Sequence, residues 1–239
     1  MSAPVQALLM ASGGVGSLAM LMHMDGTDGS TTFTEVTGKS VIVGGSSKIK
    51  TAQSVFGGAS AYLDGAGDYL SIGAASDISF LHAGVEDWTL DIWAYPETTG
   101  ATRVVLETGG VSTSERGIHI GLTNAGVFDV TISKASGGTY AARVTSAASA
   151  VPNGSFTHLR VVVASSVLYT FAAGTLIGSN ALSSPSGGTA TRAMTIGRYV
   201  GGGSLQYKGY LDEFRIVRGV ALTTSGFTPP ASPFADTYP

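Results

Sequence analysis

The stretch Gly209-Tyr210-Leu211-Asp212-Glu213-Phe214-Arg215-Ile216-Val217-Arg218-Gly219-Val220-Ala221, followed by Phe227-Thr228-Pro229-Pro230-Ala231-Ser232-Pro233-Phe234, decides how this chain is read. Residues 210–217 alternate as one strand, with Tyr210, Asp212, Phe214 and Ile216 on one face and Leu211, Glu213, Arg215 and Val217 on the other. Pro229, Pro230 and Pro233 each remove a backbone donor, so the segment that holds them is not a further sheet strand. The sequence therefore predicts a terminal strand and then an extended tail laid over a sheet.

Working outward, Trp88 to Tyr95 is the clearest other strand, with Trp88, Leu90, Ile92 and Ala94 on one face and Pro96 as its stop. Further strands are expected at 18–24, 41–43, 60–63, 69–72, 103–107, 117–122, 127–133, 139–144, 158–164, 168–172 and 194–197. Gly, Ser and Asn turns separate most of them. Asp64-Gly65-Ala66-Gly67 reads as a hairpin turn joining 60–63 to 69–72. Helical periodicity is confined to a turn near Ala74–Phe80, and no internal repeat is visible. The fold class is all-β, an antiparallel β-sandwich.

Composition supports that class. Only 12% of the 239 residues are charged, about half the usual share, and 34 are glycine, which suits short strands and tight turns better than exposed helices. The surface is expected to be rich in hydroxyls and small side chains, a character suited to packing against copies of the same chain. Cysteine is absent, which removes thiol catalysis, thiolate zinc sites and iron–sulfur clusters. The net charge of −3 carries little information, and no basic patch with interleaved aromatics points to nucleic acid. Residues 1–24 lack Lys, Arg, Asp and Glu, but the first basic residue is Lys39 and Gly13, Gly14 and Gly16 interrupt the apolar run. Neither a secretory leader nor membrane insertion is expected from it.

Three motifs lie in a familiar order: Phe56-Gly57-Gly58-Ala59-Ser60-Ala61-Tyr62-Leu63-Asp64-Gly65-Ala66-Gly67-Asp68-Tyr69-Leu70-Ser71-Ile72, then Asp87-Trp88-Thr89-Leu90-Asp91-Ile92-Trp93-Ala94-Tyr95-Pro96, then the terminal stretch quoted first. Together they resemble laminin-G-like, concanavalin-A-like jelly rolls, above all those of tailed-phage virion proteins. Phe156-Thr157-His158-Leu159-Arg160-Val161-Val162-Val163 is similar to that family's central strand. In the following hairpin, Ala172-Ala173-Gly174 stands where an acid or amide is usual, which puts a ligand role for that turn in doubt. The resemblance implies an apolar arm at 1–17, a sandwich over 18–220 and a Pro-rich strap at 221–239. It implies a non-enzymatic virion structural protein on the virion surface (capsid decoration, head fibre or tail fibre), with other virion proteins, copies of itself and cell-surface glycans as partners. The alternative is a secreted, extracellular bacterial carbohydrate-binding lectin or adhesin module.

The same sandwich also carries glycoside hydrolases, whose two carboxylates must stand close together. Asp87 and Asp91 share a strand face, but Asp87 sits at the strand edge with no third acid beside it, while Asp212 and Glu213 point to opposite faces. His23, His82, His119 and His158 show no metal-ligand spacing. No catalytic residue is assigned. For calcium, the acids that could serve are Asp25 and Asp28 in the first turn, Asp64 and Asp68 in the next, and Asp212; the set carried forward is Asp25, Asp28 and Asp212. Asp-Gly pairs form turns on backbone grounds alone. For glycan binding, Tyr140, Tyr199 and Tyr207 lie in or beside expected loops, whereas Trp88 and Trp93 read as core.

Overall fold

A computed structural model describes residues 16–84, 86–109, 117–133, 140–183, 192–199 and 205–238. In chain order the strands are β1 (Ser17–Met22), β2 (Val41–Gly44), β3 (Lys48–Lys50), β4 (Ser60–Asp64), β5 (Tyr69–Ile72), β6 (Trp88–Pro96), β7 (Arg103–Glu107), β8 (Ile118–Leu122), β9 (Phe128–Ser133), β10 (Tyr140–Thr145), β11 (Thr157–Ala164), β12 (Val167–Ala172), β13 (Thr175–Ala181), β14 (Met194–Ile196) and β15 (Lys208–Arg218). Two single-turn helices, α1 (Ala75–Ile78) and α2 (Phe80–Ala83), precede β6.

The strands form two antiparallel sheets. One has eight strands in the order β13-β12-β11-β6-β15-β4-β3, with β1 also paired to β15; the other has seven, in the order β10-β9-β8-β7-β14-β5-β2. Their facing sides make the core. Trp88, Leu90, Ile92 and Ala94 of β6, Leu159, Val161 and Val163 of β11, and Leu211, Phe214 and Ile216 of β15 meet Leu106, Ile118, Ile120, Leu122, Val130, Ile132 and Ile196 from the opposite sheet. The arrangement is the concanavalin-A-like β-sandwich expected from the sequence.

Two expectations are corrected. Asp64-Gly65-Ala66-Gly67 is not a hairpin, because β4 belongs to the eight-stranded sheet and β5 to the other. The turn is a corner between layers, held by the buried Asp68 carboxylate, which accepts the Asp64 and Ser46 N–H groups at 2.9 and 2.5 Å. The single-face alternation of 210–217 also fails. β15 faces Trp93 at Asp212 but Asp91 at Arg215, so β15 uses one residue more than β6 over that span. The extra residue is Glu213, a bulge in left-handed conformation (φ 48°) that puts Asp212 outside and Phe214 inside.

That bulge divides β15 into two halves with different neighbours. Residues 208–211 pair with β4, and residues 214–218 pair with β1. The Glu213 carboxylate is buried and anchors both chain ends: His23 Nδ1 lies 2.7 Å away, and the Phe234 N–H donates to it at 2.9 Å. His23 Nε2 reaches Asp236 at 2.9 Å. Burial opposes a charge on His23, but its bonds to Asp236 and Glu213 outweigh this and raise its pKa.

Residues after β15 cross the outer face of the eight-stranded sheet without joining it. Thr89 Oγ1 donates to the Val220 carbonyl and accepts the Leu222 N–H. The Phe227 N–H donates to Gly174 O at 2.9 Å. Gly174 is required there: its φ is +78°, and a Cβ would stand 1.9 Å from the Phe227 carbonyl. Beneath this tail Asp91 is fully buried, with Arg160 Nε 2.6 Å from one carboxylate oxygen and Arg215 Nη2 2.6 Å from the other. His158 Nε2 stands 3.2 Å from Asp91. The Phe227 and Phe234 rings cover the two guanidiniums at 4.0 and 3.8 Å.

Burial alone would raise Asp91, but Arg160, His158 and Arg215 together hold its carboxyl well below the usual carboxylate range. Its stabilisation is present above the unfolded-state pKa near 4 and is lost only as pH falls below that value. Asp91→Ala strands two guanidiniums under the tail and should cost about 3–5 kcal/mol at pH 7 by denaturant titration, the deficit narrowing below about pH 4.

Candidate functional site

The outer face of the seven-stranded sheet carries one continuous polar row. Strand register sets Arg143 opposite Thr131, Thr131 opposite His119, His119 opposite Glu107, Glu107 opposite Thr195 and Thr195 opposite Ser71. The row follows from alternation: on each of these strands the flanking residues, such as Val130 and Ile132 or Ile118 and Ile120, point into the core. Hydroxyl, imidazole, carboxylate and guanidinium groups therefore line up across six strands, with Arg143 exposed at one end and Thr131, Glu107 and Thr195 buried within the face.

His119 Nδ1 lies 3.6 Å from the buried Glu107 carboxylate, and Arg143 Nε donates to Asp129 at 2.8 Å. The Tyr199 ring meets His119 edge-on at 6.4 Å, while Tyr140, 39% exposed, lies under the Arg143 guanidinium at 5.3 Å. Arg198 covers the Tyr69 ring at 3.6 Å on the same face. Gly44 makes room for that ring, since a Cβ there would fall 1.9 Å from it. Polar groups thus run down the middle, and tyrosines stand at the margins.

Two of the three tyrosines proposed from sequence, Tyr140 and Tyr199, come to this face. Tyr207 does not. It is fully buried, its hydroxyl donates to Tyr210 O at 3.1 Å, and burial pushes its pKa well above the ordinary value. Extending the alternation of β15 backwards from the inward Leu211 through Gly209 would have placed Tyr207 inward as well. Alternation along single strands does not find Thr131, His119 and Thr195, because only the pairing register brings them into one row.

Each calcium candidate has protein partners, and Asp25 lies close enough to Asp212 and Glu213 to raise the pKa of both. The Asp25 carboxylate rests against Gly57, where a Cβ would collide with it at 2.0 Å. Asp28 accepts the Thr51 N–H at 3.1 Å and lies 3.9 Å from Lys50 Nζ. Asp212 accepts the Val55 and Phe56 N–H groups at 2.7 and 3.3 Å. Of the other two turn acids, Asp68 is the corner clamp, and Asp64 accepts the Ala66 N–H at 2.7 Å. Among the described residues no three His, Asp or Glu side chains are grouped to hold a metal ion. The acid pair weighed for hydrolysis is likewise engaged, Asp91 by its arginines and Asp87 by the Ser165 N–H at 2.8 Å.

A family model described as the concanavalin A-like lectin/glucanases superfamily matches residues 64–225. The chain belongs to that superfamily. No curated relative matches it in sequence. Among solved structures, the receptor-binding domain of botulinum neurotoxin C/D mosaic serotype is 9% identical with a TM-score of 0.62, the match covering 92% of this chain and 49% of that one. The binding domain of Paraclostridial Mosquitocidal Protein 1 is 12% identical with a TM-score of 0.65, covering 86% and 50%. Domain 4 of AbnA, a GH43 extracellular arabinanase from Geobacillus stearothermophilus solved with arabinotriose, is 16% identical with a TM-score of 0.59, covering 85% and 93%. These likenesses establish a shared fold, and this chain spans about half the length of the two toxin domains.

Asp212 provides a test of the local electrostatics. Burial raises its pKa to about 7, against the Val55 and Phe56 N–H groups and with help from Glu213 and Asp25. Because that value exceeds the unfolded one, the folded chain binds the extra proton, and this residue's contribution to stability falls as pH rises from about 4 to about 7. In a thermal-unfolding series, Asp212→Asn should gain on the wild type between about pH 5 and pH 8; a constant difference would count against the assignment.

Proposed function

We propose that this chain is a non-catalytic carbohydrate-binding module whose ligand face is the outer side of the seven-stranded sheet. The observation that carries this is the polar row from Arg143 through Thr131, His119, Glu107 and Thr195 to Ser71, bordered by Tyr140 and Tyr199. The exposed Arg143 offers hydrogen bonds to sugar hydroxyls and the Tyr140 ring offers apolar surface for sugar C–H groups, while the buried Thr131, Glu107 and Thr195 brace the face behind them. Membership of the lectin/glucanase superfamily supports the reading, as does the arabinotriose bound by the arabinanase domain of the same fold.

For the biological setting we infer display on a tailed-phage virion, as a capsid decoration, head fibre or tail fibre packed against other virion proteins and copies of itself. The motif resemblance, the absence of cysteine and the charge-poor composition support it. A secreted lectin or adhesin module is the second reading, favoured by the fold shared with an extracellular arabinanase. Density-gradient fractionation of the native source separates the two: co-sedimentation with particles at many copies supports virion display, and a free pool supports secretion.

Titration calorimetry against soluble arabinan and a panel of bacterial surface glycans tests the binding face. His119→Ala and Tyr199→Ala should each weaken binding at least about tenfold, the first also lowering the thermal midpoint because it removes a partner of the buried Glu107 carboxylate. Wild-type affinity in both variants would move the site elsewhere, and release of new reducing ends from a bound glycan would overturn the non-catalytic reading.

A further inference from the structure

The tail covers only part of the outer face of the eight-stranded sheet. Its contacts fall on the rows of Thr89, Asp91 and Arg160, on Glu213, and on His158 through the Phe227 ring. Nearer the other end of the sheet lies a row of a different kind. Phe156, just before β11, packs on Tyr95 of β6; Tyr95 stands opposite Tyr210 of β15, and Tyr210 opposite Tyr62 of β4. The ring centroids are 5.3, 5.5 and 4.8 Å apart in that order. All four side chains are half-buried, while Ala94, Leu211, Ala61 and Leu63 beside them supply the core. Among the described residues, the tail covers the Asp91 rows and stops short of this one.

Shape and charge indicate what the row can hold. It crosses three strand spacings, about 15 Å, and is a single side chain wide. Four rings exposed to this degree offer at most a few hundred Å², well below the roughly 800 Å² per partner of a stable protein interface. Each strand spacing is close to the length of one sugar unit in an extended chain. The rim is polar and charge-balanced: Lys208 Nζ lies 3.4 Å from Glu97, Lys208 stands opposite Asp64, Lys50 is 3.9 Å from Asp28, and Lys48 stands opposite Tyr62 at the end of the row, giving three cations to three anions. Glu97 also lies close to Tyr62. A balanced rim neither attracts nor rejects net charge, which favours a neutral polymer over a polyanion.

We infer that Phe156, Tyr95, Tyr210 and Tyr62 form a second carbohydrate platform, taking about three consecutive units of a neutral, unbranched polysaccharide laid across the strands. It extends the lectin-like reading above but uses none of the same residues and lies on the opposite side of the sandwich. One chain can then engage two glycan strands at once, which raises avidity on a polysaccharide mesh without new contacts.

The test is native gel electrophoresis of the full chain through gels containing linear arabinan, laminarin or galactomannan, with alginate as the polyanion. At least one neutral polymer should retard the wild type. Tyr210→Ala and Tyr62→Ala should each weaken that retardation roughly tenfold, whereas Tyr210→Phe, which keeps the ring and safeguards the fold, stays within about threefold. A His119→Ala/Tyr199→Ala double variant should lose only the remaining part. If the alanine variants, with wild-type melting, migrate as the wild type does while the double variant loses all retardation, the platform is refuted and the seven-stranded face stands. The reverse pattern keeps the platform and removes the other face. Retardation by alginate alone, or by none of the neutral polymers, overturns the platform.

Discussion

The structure depends most on the pairing of Asp91 with Arg160 and Arg215. Three charges in the middle of a sheet face would be a heavy desolvation penalty if left there unmatched. Here one carboxylate satisfies a guanidinium from each neighbouring strand, and a phenylalanine from the tail lies on each guanidinium. The central strands β11, β6 and β15 and the tail are thereby tied at one point. Val162, Ala164, Phe171 and Ala221 form a small apolar cluster beside it, separate from the main core. The tail is thus a structural part of the eight-stranded sheet, although it contributes no strand.

Much of the fold was legible because side-chain alternation is a local property. The inward set of β6 was read correctly, and most strands lie within a residue or two of their expected bounds. Short or weakly patterned strands escaped: Lys48–Lys50 has a single apolar residue, and the edge strand Thr175–Ala181 is mostly exposed. The errors that matter arose where the chain departs from local rules. Nothing in a Leu-Asp-Glu-Phe string announces a left-handed glutamate, because what holds Glu213 there is His23 from one end of the chain and the Phe234 backbone from the other. Likewise Asp-Gly-Ala-Gly chemistry fits a hairpin and a corner equally well, and the side chain that decides, Asp68, acts through the distant Ser46 as well as its neighbour Asp64.

The candidate site was less legible, for a related reason. A binding row that crosses a sheet takes one residue from each strand, so its members are far apart in sequence and chemically ordinary one at a time. Thr131, His119 and Thr195 acquire meaning only through register. Tyr62, Tyr95 and Tyr210 occupy outward positions of three strands that are neighbours in space, but the order of strands in a sheet is not written in any of them. Calcium was the opposite case. Aspartates that looked alike in sequence take different partners in the fold: Asp25 comes close to Asp212, which caps two backbone amides, whereas Asp28 sits by Thr51 and Lys50.

The course of the tail has a mechanical consequence. It leaves β15 at Gly219, crosses to Gly174, returns to Glu213 and His23, and brings Tyr238 and Val220 together against Gly16. Tension on its far end would therefore act on one anchor at a time: Tyr238 against Val220 first, then the Asp236–His23 bond, then Phe234 on Glu213, then Phe227 on Arg160. The sandwich itself would bear load only after residues 219–238 had unreeled, roughly 65 Å of slack when extended. Sudden pulling would thus be met first by a yielding tether, the Phe234 and Phe227 anchors each uncovering part of the Asp91 cluster on release, before load reached the strands.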